Sequence, residues 1–383
     1  MRRKTHAVKI GDLPLGSDYP IRLQSMTNTN TLDTKATVAQ AIRIIEAGGE
    51  YVRIAVPGTR EAERLAVIKR KLHRCGYKNP LIADVHFNPK VAETAARIVE
   101  KVRINPGNYV DKRTSKKKTY TDGEYAAELE RIHARLLPLI LVCKEYGTAI
   151  RIGSNHGSLS ARILTRYGDT PHGMVESAME FLRIFEAENF NQVALSMKAS
   201  NLRVVIESTR MLVERMTQEG LHYPLHLGVT EAGEGEDGRI KSAIGIGSLL
   251  MDGIGDTIRV SLTEAPEAEI PVAFNILQAC RLRMSKAEYI SCPSCGRTQF
   301  DLQSTAAKIR EKTSHLTGLK IGIMGCIVNG PGEMADADYG YVGTAPGKIT
   351  LYKQQKIMKL NIHEDHAVDE LIKLIKENGD WIE

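Results

Sequence analysis

Three cysteines stand in two motifs in the last quarter of the chain. Cys292 and Cys295 form a C-x-x-C pair in SCPSCGRTQFDL, and Cys326 lies in the glycine-rich segment GIMGCIVNGPGE. A C-x-x-C turn presents two thiolates to one metal centre, and a thiolate on a separate loop adds a third ligand. The sequence therefore indicates a metal or iron-sulfur site whose fourth ligand is not a cysteine.

Two kinds of residue could supply that fourth ligand. A structural zinc site could use one of the histidines His315, His363 and His366. Alternatively, the Gly-Pro-Gly segment 330–332 can form a tight turn that brings Glu333 towards the metal. An oxygen ligand would be the weak point of a centre otherwise held by thiolates, and iron at that corner could engage a substrate oxygen.

Four arginines occupy equivalent positions in predicted strands. Each lies between aliphatic residues, in the triplets V-R-I, V-R-I, I-R-I and I-R-V, and they are Arg53, Arg103, Arg151 and Arg259. Because successive side chains of a strand alternate between its two faces, these guanidinium groups must point away from the helix-packed face, into the mouth of a barrel. An unpaired buried charge costs several kcal/mol, so the pattern predicts a bound phosphate or diphosphate.

Further polar residues follow the same predicted strands. Candidate substrate-binding donors are Asn105, Ser154, Asn155, Lys198 and Ser261, and Glu231, in the loop VTEAG, is the leading candidate acid or base. Asp84 and His86 could also take part in proton transfer. Asp84 and Glu231 could instead pair with the arginines in a purely structural network, but two carboxylates do not neutralise four arginines and Lys198.

Short apolar segments, each followed by an amphipathic helical pattern, position these residues. The strand candidates are residues 21–26, 51–56, 81–86, 101–106, 149–155, 192–200, 224–233 and 256–262. Alternation of strand and helix predicts parallel pairing, and eight such units over residues 1–282 favour an α/β fold with a (β/α)₈ TIM-like barrel. An open doubly wound sheet is the alternative. Within an insertion at residues 107–137, a helical pattern precedes Pro138, which is expected to start or break a helix.

The pattern changes after the last barrel helix. Residues 283–383 are predicted to form a small α+β domain that holds the cysteine motifs. Its expected elements are strands at 286–291 and 318–324, helices at 301–314 and 366–377, and two short strands within 339–352.

Composition restricts the function classes. The 383 residues carry a net charge of +6, a mild excess that favours anionic ligands. The basic run from Lys112 to Lys118 has no interleaved aromatic residues and is interpreted as a solvated loop, although RNA binding is an alternative. The six cysteines do not follow a secreted disulfide pattern, and no segment resembles a signal peptide or a membrane span. We expect a cytoplasmic protein without nucleic-acid or membrane partners.

The motifs resemble the family of 4-hydroxy-3-methylbut-2-enyl diphosphate synthase, the iron-sulfur enzymes of the non-mevalonate (MEP) isoprenoid pathway. The pair CPSC and GCIVNGPGE carries the resemblance most specifically. The segments QSMTNT, ADVHF, RINPGN, IRIGSNHGSL, LHLGVTEAG and GIGDTIRVSL extend it across the predicted barrel. It implies a reductive dehydroxylation that opens 2-C-methyl-D-erythritol 2,4-cyclodiphosphate to (E)-4-hydroxy-3-methylbut-2-enyl diphosphate, with ferredoxin or flavodoxin as electron donor.

The resemblance also implies roles for particular residues. A [4Fe-4S] cluster would be held by Cys292, Cys295, Cys326 and Glu333. The substrate diphosphate would be bound by Arg53, Arg103, Arg151, Lys198 and Arg259, with help from Asn155 and Ser261. Glu231 would act in proton transfer, and Asn329 would contact a substrate hydroxyl.

One departure from the family pattern concerns domain number. The segment LGVTEAGEGEDGRIKSAIGIGSLL resembles the long form of the family, which has an extra domain between the barrel and the cluster domain. Here the helix that ends near Arg281 leads directly into RMSKAEYISCPSC. The resemblance implies a head-to-tail dimer like that of the short family members, in which the cluster of one chain covers the barrel of the other. We therefore expect a homodimer.

A different enzyme class also fits part of the sequence. A phosphate-binding barrel with a structural zinc site could catalyse an aldol or pterin-type condensation. Such a protein would be colourless and insensitive to oxygen, whereas an iron-sulfur protein absorbs visible light.

Overall fold

The computed structural model describes residues 2–111, 119–328 and 330–382. The chain forms two compact units, Met1–Arg283 and Met284–Glu383. The basic run from Lys112 to Lys118 and the candidate Asn329 lie outside the described residues.

Eight parallel strands form a barrel in the first unit. They are β1 (Arg22–Met26), β2 (Tyr51–Ala55), β3 (Leu81–Asp84), β4 (Lys101–Ile104), β5 (Ala149–Asn155), β6 (Val193–Lys198), β7 (His226–Leu227) and β8 (Thr257–Ile258). Their order is β6-β5-β4-β3-β2-β1-β8-β7, and a parallel bridge between Leu195 and Leu225 joins the two ends. The closing bridge confirms the predicted barrel. The doubly wound alternative is wrong, because an open sheet would leave its two edge strands apart.

Helices surround this barrel. They are α1 (Thr34–Glu46), α2 (Thr59–Arg74), α3 (Pro89–Ala96), α4 (Pro106–Tyr109), α5 (Asp122–Tyr146), α6 (Ala161–Tyr167), α7 (Pro171–Ala187), α8 (Leu202–Gln218), α9 (Gly235–Met251) and α10 (Glu269–Ala279). In α1 the Asp33 side chain accepts a hydrogen bond from the Ala36 N–H at 3.0 Å and caps the helix. Val38, Ala41 and Ile44 form its buried stripe, as helical periodicity predicts.

The long helix α5 corrects the interpretation of Pro138. This proline lies inside α5 and neither starts nor ends it. A proline in a helix interior costs about 3 kcal/mol, because one backbone hydrogen bond is lost. Leu136, Leu139 and Ile140 are fully buried beside it, and each such side chain contributes about 1.5 to 3 kcal/mol. Packing against the barrel therefore outweighs the local penalty.

An N-terminal hairpin seals the end of the barrel at which the strands begin. Val8 and Leu15 pair in an antiparallel bridge and, with Ile10, pack against Tyr51 at the start of β2. The Tyr51 hydroxyl donates a hydrogen bond to the Leu13 carbonyl. The apolar side chains of this cluster are fully buried, so that end of the barrel is closed to solvent.

The second unit is a five-stranded sheet with helices. Its strands are β9 (Glu288–Ser291), β10 (Lys320–Met324), β11 (Tyr339–Ala345), β12 (Lys348–Lys353) and β13 (Lys356–His363), and its helices are α11 (Leu302–Thr313), α12 (Gly330–Glu333) and α13 (Glu364–Glu377). The order is β13-β12-β11-β10-β9, with β9, β10 and β11 parallel and the other pairs antiparallel. The sequence did not predict β13. Most of its side chains are exposed, so it lacks the pattern of a half-buried strand.

Within the residues that the structure describes, no helix combines the length and apolar character needed to cross a membrane.

Candidate functional site

Five basic side chains lie inside the barrel, towards the ends at which its strands finish. They are named here the cation group: Arg53 on β2, Arg103 on β4, Arg151 on β5, Lys198 at the end of β6 and Arg259 directly after β8. Arg103, Arg151 and Lys198 are 4, 1 and 6% exposed, respectively. The structure thus brings the predicted arginines and Lys198 together in one buried group.

Burial and mutual repulsion act on this group in the same direction. Burial, and then the positive charges of Arg53 and Arg103, lower the pKa of Arg151 well below its usual range. Burial, followed by the charges of Arg151 and Arg53, likewise lowers the pKa of Lys198. The charged forms are therefore costly unless negative charge lies nearby.

Asp84 supplies part of that negative charge. Its Oδ1 lies 3.1 Å from Nη1 of Arg103, and its Oδ2 lies 3.6 Å from Nη2 of Arg53. Burial alone would raise the pKa of the Asp84 carboxyl, but the two guanidinium groups outweigh it and hold that pKa well below its usual range. Asp84 is thus an ionised bridge between two members of the cation group.

Glu269 is the second carboxylate that pairs with the cation group, and it was not among the residues predicted from the sequence. Its two carboxylate oxygens accept hydrogen bonds from Nη2 and Nε of Arg259 at 3.0 and 3.2 Å, and the Ser25 hydroxyl donates to it at 2.7 Å. Glu269 is 2% exposed and begins α10, ten residues beyond Arg259. The available signal was an acidic residue in the first turn of the helix that follows an arginine-bearing strand.

Arg151 and Lys198 have no carboxylate partner among the described residues. Nε and Nη1 of Arg151 are buried and lack a hydrogen-bond partner in that part of the chain. A purely structural network of ion pairs therefore explains the burial of Arg53, Arg103 and Arg259 but not the burial of Arg151 and Lys198. The excess positive charge is what an anion would neutralise.

Arg103 is held from several directions. Its guanidinium donates to the Gly153 carbonyl at 3.0 Å and to Oδ1 of Asn155 at 3.3 Å, and its Nη1 lies 2.5 Å from Nε2 of His86. A Cβ atom at position 153 would lie 2.4 Å from Nε of Arg103, so only glycine leaves room for the guanidinium. His86 thus helps to position an arginine, which is one of the roles that the sequence left open.

Asn105 has a structural role in addition to its predicted one. Its Nδ2 donates to Oγ of Ser158 at 2.7 Å, and its Oδ1 accepts from the Gly107 N–H at 3.1 Å. A Cβ atom at Gly107 would lie 1.6 Å from the Ser158 carbonyl oxygen, so the two loops approach as closely as the backbone allows. Ser261 is half-buried and lies in the loop after β8.

Glu231 lies apart from the carboxylates that pair with the arginines. It is exposed, in the loop after β7, and no ion pair involves it within the described residues. Its φ of 55° falls in the left-handed region, which costs a residue with a side chain about 1 to 2 kcal/mol. The structural alternative in which Glu231 pairs with an arginine is therefore not supported among the described residues, where Glu269 pairs with Arg259, and the role of Glu231 as an acid or base stays a prediction.

The three cysteines of the second unit line one cavity of about 410 Å³. All three thiols are free. Cys292 directly follows β9, and Cys326 lies just beyond β10, the neighbouring parallel strand in which Ile323 pairs with Ser291. Glu333 ends the helical turn α12 and lines the same cavity. Parallel pairing thus brings together side chains that are separated in sequence.

The donor set of this cavity suits an iron-sulfur cluster. Among the described residues, no group of three or more His, Cys, Asp or Glu side chains surrounds a single ion position. A [4Fe-4S] cube needs one ligand per iron, so its ligands do not have to converge on one point. The Gly325 N–H donates to Sγ of Cys292 at 3.1 Å, the kind of contact that stabilises a cluster thiolate.

The histidines proposed for a zinc site lie elsewhere. The His315 ring packs against Trp381 at 5.0 Å, and Nδ1 of His363 accepts from the Asp365 N–H at the start of α13. Neither these two nor His366 lines the cavity that contains the cysteines. In the described part of the chain, Glu333 is the acidic side chain that accompanies the thiols there.

Two family models match this chain and together show its family. Residues 5–274 match the family model described as GcpE TIM-barrel domain, and residues 288–377 match the GcpE protein C-terminal domain. The chain belongs to the GcpE family. The two matched segments of this GcpE protein cover the barrel and the unit that carries the cysteine cavity.

Curated relatives extend the match over the whole GcpE chain. A protein of Picosynechococcus sp., named 4-hydroxy-3-methylbut-2-en-1-yl diphosphate synthase (ferredoxin), is 55% identical over 384 residues, which cover 100% of this chain and 94% of the relative. One of Parabacteroides distasonis, named the flavodoxin form, is 41% identical over 603 residues, covering 100% and 99%. The longer alignment means that the second relative carries residues with no counterpart here. A solved sialic acid synthetase of Leptospira borgpetersenii shares 9% identity over 81% of this chain and 98% of that chain, with a TM-score of 0.48, too low to bear on function.

We expect Asp84→Asn to destabilise the barrel by on the order of 3 kcal/mol at neutral pH, because Arg53 and Arg103 would stay buried without their shared carboxylate. The folded-state pKa of Asp84 is lowered, so its stabilisation is complete above the unfolded-state pKa of about 4 and is lost as pH falls from there towards the folded-state pKa. Urea unfolding at several pH values should show a deficit that shrinks in acid.

The exposed carboxylate of Asp12 provides the matched control, and Asp12→Asn should leave the unfolding free energy within about 0.5 kcal/mol of the original protein. An Asp84→Asn protein as stable as the original at neutral pH would contradict the bridging role of Asp84.

Proposed function

We propose that this chain catalyses the reductive opening of 2-C-methyl-D-erythritol 2,4-cyclodiphosphate to (E)-4-hydroxy-3-methylbut-2-enyl diphosphate. Family membership and the names of the curated relatives support the activity. The observation that carries the proposal is the cavity that three free thiols and Glu333 line together. Such a donor set suits electron transfer to a bound substrate.

The cation group binds the diphosphate of the substrate in this proposal. Each phosphate of the cyclic diphosphate is esterified to the carbon chain, joined to the other phosphate and carries one negative charge, so the two charges offset two of the three positive charges that Asp84 and Glu269 leave in the cation group. Arg151 and Lys198 act as the primary anchors, because they have no carboxylate partner in the described residues. The other proposed contacts to substrate come from Arg53, Arg103, Arg259, Asn105, Asn155, Ser261 and Asn329.

The cluster ligands are proposed to be Cys292, Cys295, Cys326 and Glu333. A [4Fe-4S] cluster held there supplies single electrons, which cytoplasmic ferredoxin or flavodoxin would provide. The carboxylate of Glu333 differs from the thiolates in charge distribution and hardness, so it would be the weakest of the four ligands.

The reaction consumes two electrons and one proton. The bond between a ring carbon and its phosphate oxygen breaks, the hydroxyl leaves as water, and an alkene forms. The released phosphate oxygen gains negative charge, which the arginines stabilise at fixed positions. Glu231, held in an unfavourable backbone conformation on the loop after β7, is the proposed group for proton transfer.

We expect Glu333→Ala to leave a folded protein with an altered cluster and little turnover. Anaerobically prepared protein should be coloured, and the variant should show a changed visible absorption and electron paramagnetic resonance spectrum. Turnover is measured with reduced ferredoxin or flavodoxin. The exposed Glu311, on α11 of the same unit, offers Glu311→Ala as the control, with unchanged spectrum and turnover.

Full activity of the Glu333→Ala protein would exclude Glu333 as a ligand. A colourless original protein that contains zinc would instead favour the condensation enzyme and overturn the proposed function.

We expect Arg151→Met to weaken the binding of inorganic diphosphate on the order of 10- to 100-fold, since a charged hydrogen bond contributes about 1.5 to 3 kcal/mol. Stability should not fall, because the substitution removes a buried cation without a carboxylate partner. Calorimetric titration and urea unfolding measure the two effects. The exposed Arg203→Met is the control, and unchanged binding by Arg151→Met would contradict the anchoring role.

The proposed assembly is a homodimer, as in the short family members that the sequence resembles. Light scattering of the purified protein should give a mass about twice the 42.4 kDa of one chain. A monomeric mass at micromolar concentration would contradict this proposal.

A further inference from the structure

Lys101 is a buried cation that the proposed function does not use. It begins β4, two residues before Arg103, and its residue surface is 0% exposed. Its Nζ atom has no hydrogen-bond partner among the described residues and lies 4.7 Å from the centre of the Tyr51 ring. Because alternate residues of a strand share one face, Lys101 occupies the layer of the barrel interior directly below Arg103.

The charged neighbours of Lys101 are all positive. Arg151 on β5 and Arg53 on β2 act on its ammonium group, and His226 on β7 feels the charge of Lys101 in turn. Tyr51 on β2 is the other titratable group in contact with it, and the Tyr51 hydroxyl donates its hydrogen bond away, to the Leu13 carbonyl. Burial first, and then the two arginines, lower the pKa of Lys101 well below its usual range.

The surrounding structure lets Lys101 exchange protons with solvent through one end of the barrel, the end at which the strands finish. Below it, Tyr51 and the apolar cluster with Val8, Ile10 and Leu15 close the barrel. Above it lie the cation group and the open ends of the strands. An anion that binds to the cation group therefore changes the electrostatic potential at Lys101 directly and fills the route between Lys101 and solvent.

We propose that Lys101 is a further residue of the anion site, neutral in the free barrel and protonated when the diphosphate binds. The negative charge of the ligand offsets the repulsion from Arg53 and Arg151, so the ammonium form becomes the stable one. The inference rests on the proposed binding of a diphosphate to the cation group.

Proton uptake by Lys101 makes binding of the anion depend on pH in a definite direction. A group that gains a proton on binding favours the complex at lower pH, so the dissociation constant rises as pH increases through the range in which Lys101 must be protonated. Lys198 and His226 are also buried near the site, and they contribute to the total number of protons taken up. Only the difference between the original protein and a Lys101 variant isolates the contribution of Lys101.

The test is calorimetric titration of the full-length protein with the cyclic diphosphate, without reductant, in buffers of equal pH and different ionisation enthalpy. Each phosphate of this ligand carries one negative charge and does not titrate near neutral pH, so protons taken up must enter the protein. We expect the original protein to take up protons, and Lys101→Met to take up about one fewer with a shallower pH dependence of binding. Exposed Lys35→Met, on α1, should match the original protein.

The outcomes separate the inference from the function on which it rests. Tight binding without proton uptake by the original protein, or equal uptake by Lys101→Met, overturns the role of Lys101 and leaves the proposed function intact. The original protein gives the first of these results by itself, even if the variant fails to fold. Failure of the cyclic diphosphate to bind at all overturns both.

Discussion

Positive charge buried in excess of negative charge is the constraint on which the interior of the barrel depends. The hydrogen-bonded strands fix where Arg53, Arg103 and Arg151 leave the backbone, so these side chains cannot relieve their repulsion by moving far apart. Asp84 and Glu269 reduce the repulsion at two points. The apolar side chains buried between strands and helices stabilise the barrel enough for it to fold despite the remaining repulsion. The free barrel is thus less stable than it would be without this excess of buried positive charge.

Much of this architecture could be predicted because it rests on local pattern. Strand alternation alone placed the four arginines on one face, and the succession of strand and helix predicted the parallel barrel. The spacing of Cys292 and Cys295 indicated a metal site without reference to any fold. That Cys326 and Glu333 reach the same cavity depends on pairing between β9 and β10, which the succession of strand and helix made a reasonable expectation.

What could not be predicted depends on contacts between distant parts of the chain. Glu269 looks like an ordinary first-turn acid of a helix until the barrel closes and brings it against Arg259 and Ser25. Pro138 has the local chemistry of a helix breaker, and only the burial of its neighbours shows why α5 continues. The exposed edge strand β13 carries no periodic signal. Glu231 follows a strand, as a catalytic residue should, and its exposure and left-handed backbone could not be predicted from the sequence.

The N-terminal hairpin closes one end of the barrel, so its interior is open to solvent at the other end. Val8, Ile10 and Leu15 leave no passage at the base, so whatever enters past the open ends of the strands must also leave there. Under the proposed binding mode, substrate and product would occupy the interior in turn, and each would exclude the other. In the proposed reaction, ring opening turns an internal phosphate with one ionisable oxygen into a terminal phosphate with two, so the product would carry more negative charge and would be bound more strongly by the same arginines. Release of the product anion from these cations would then limit the turnover rate as much as binding of the substrate.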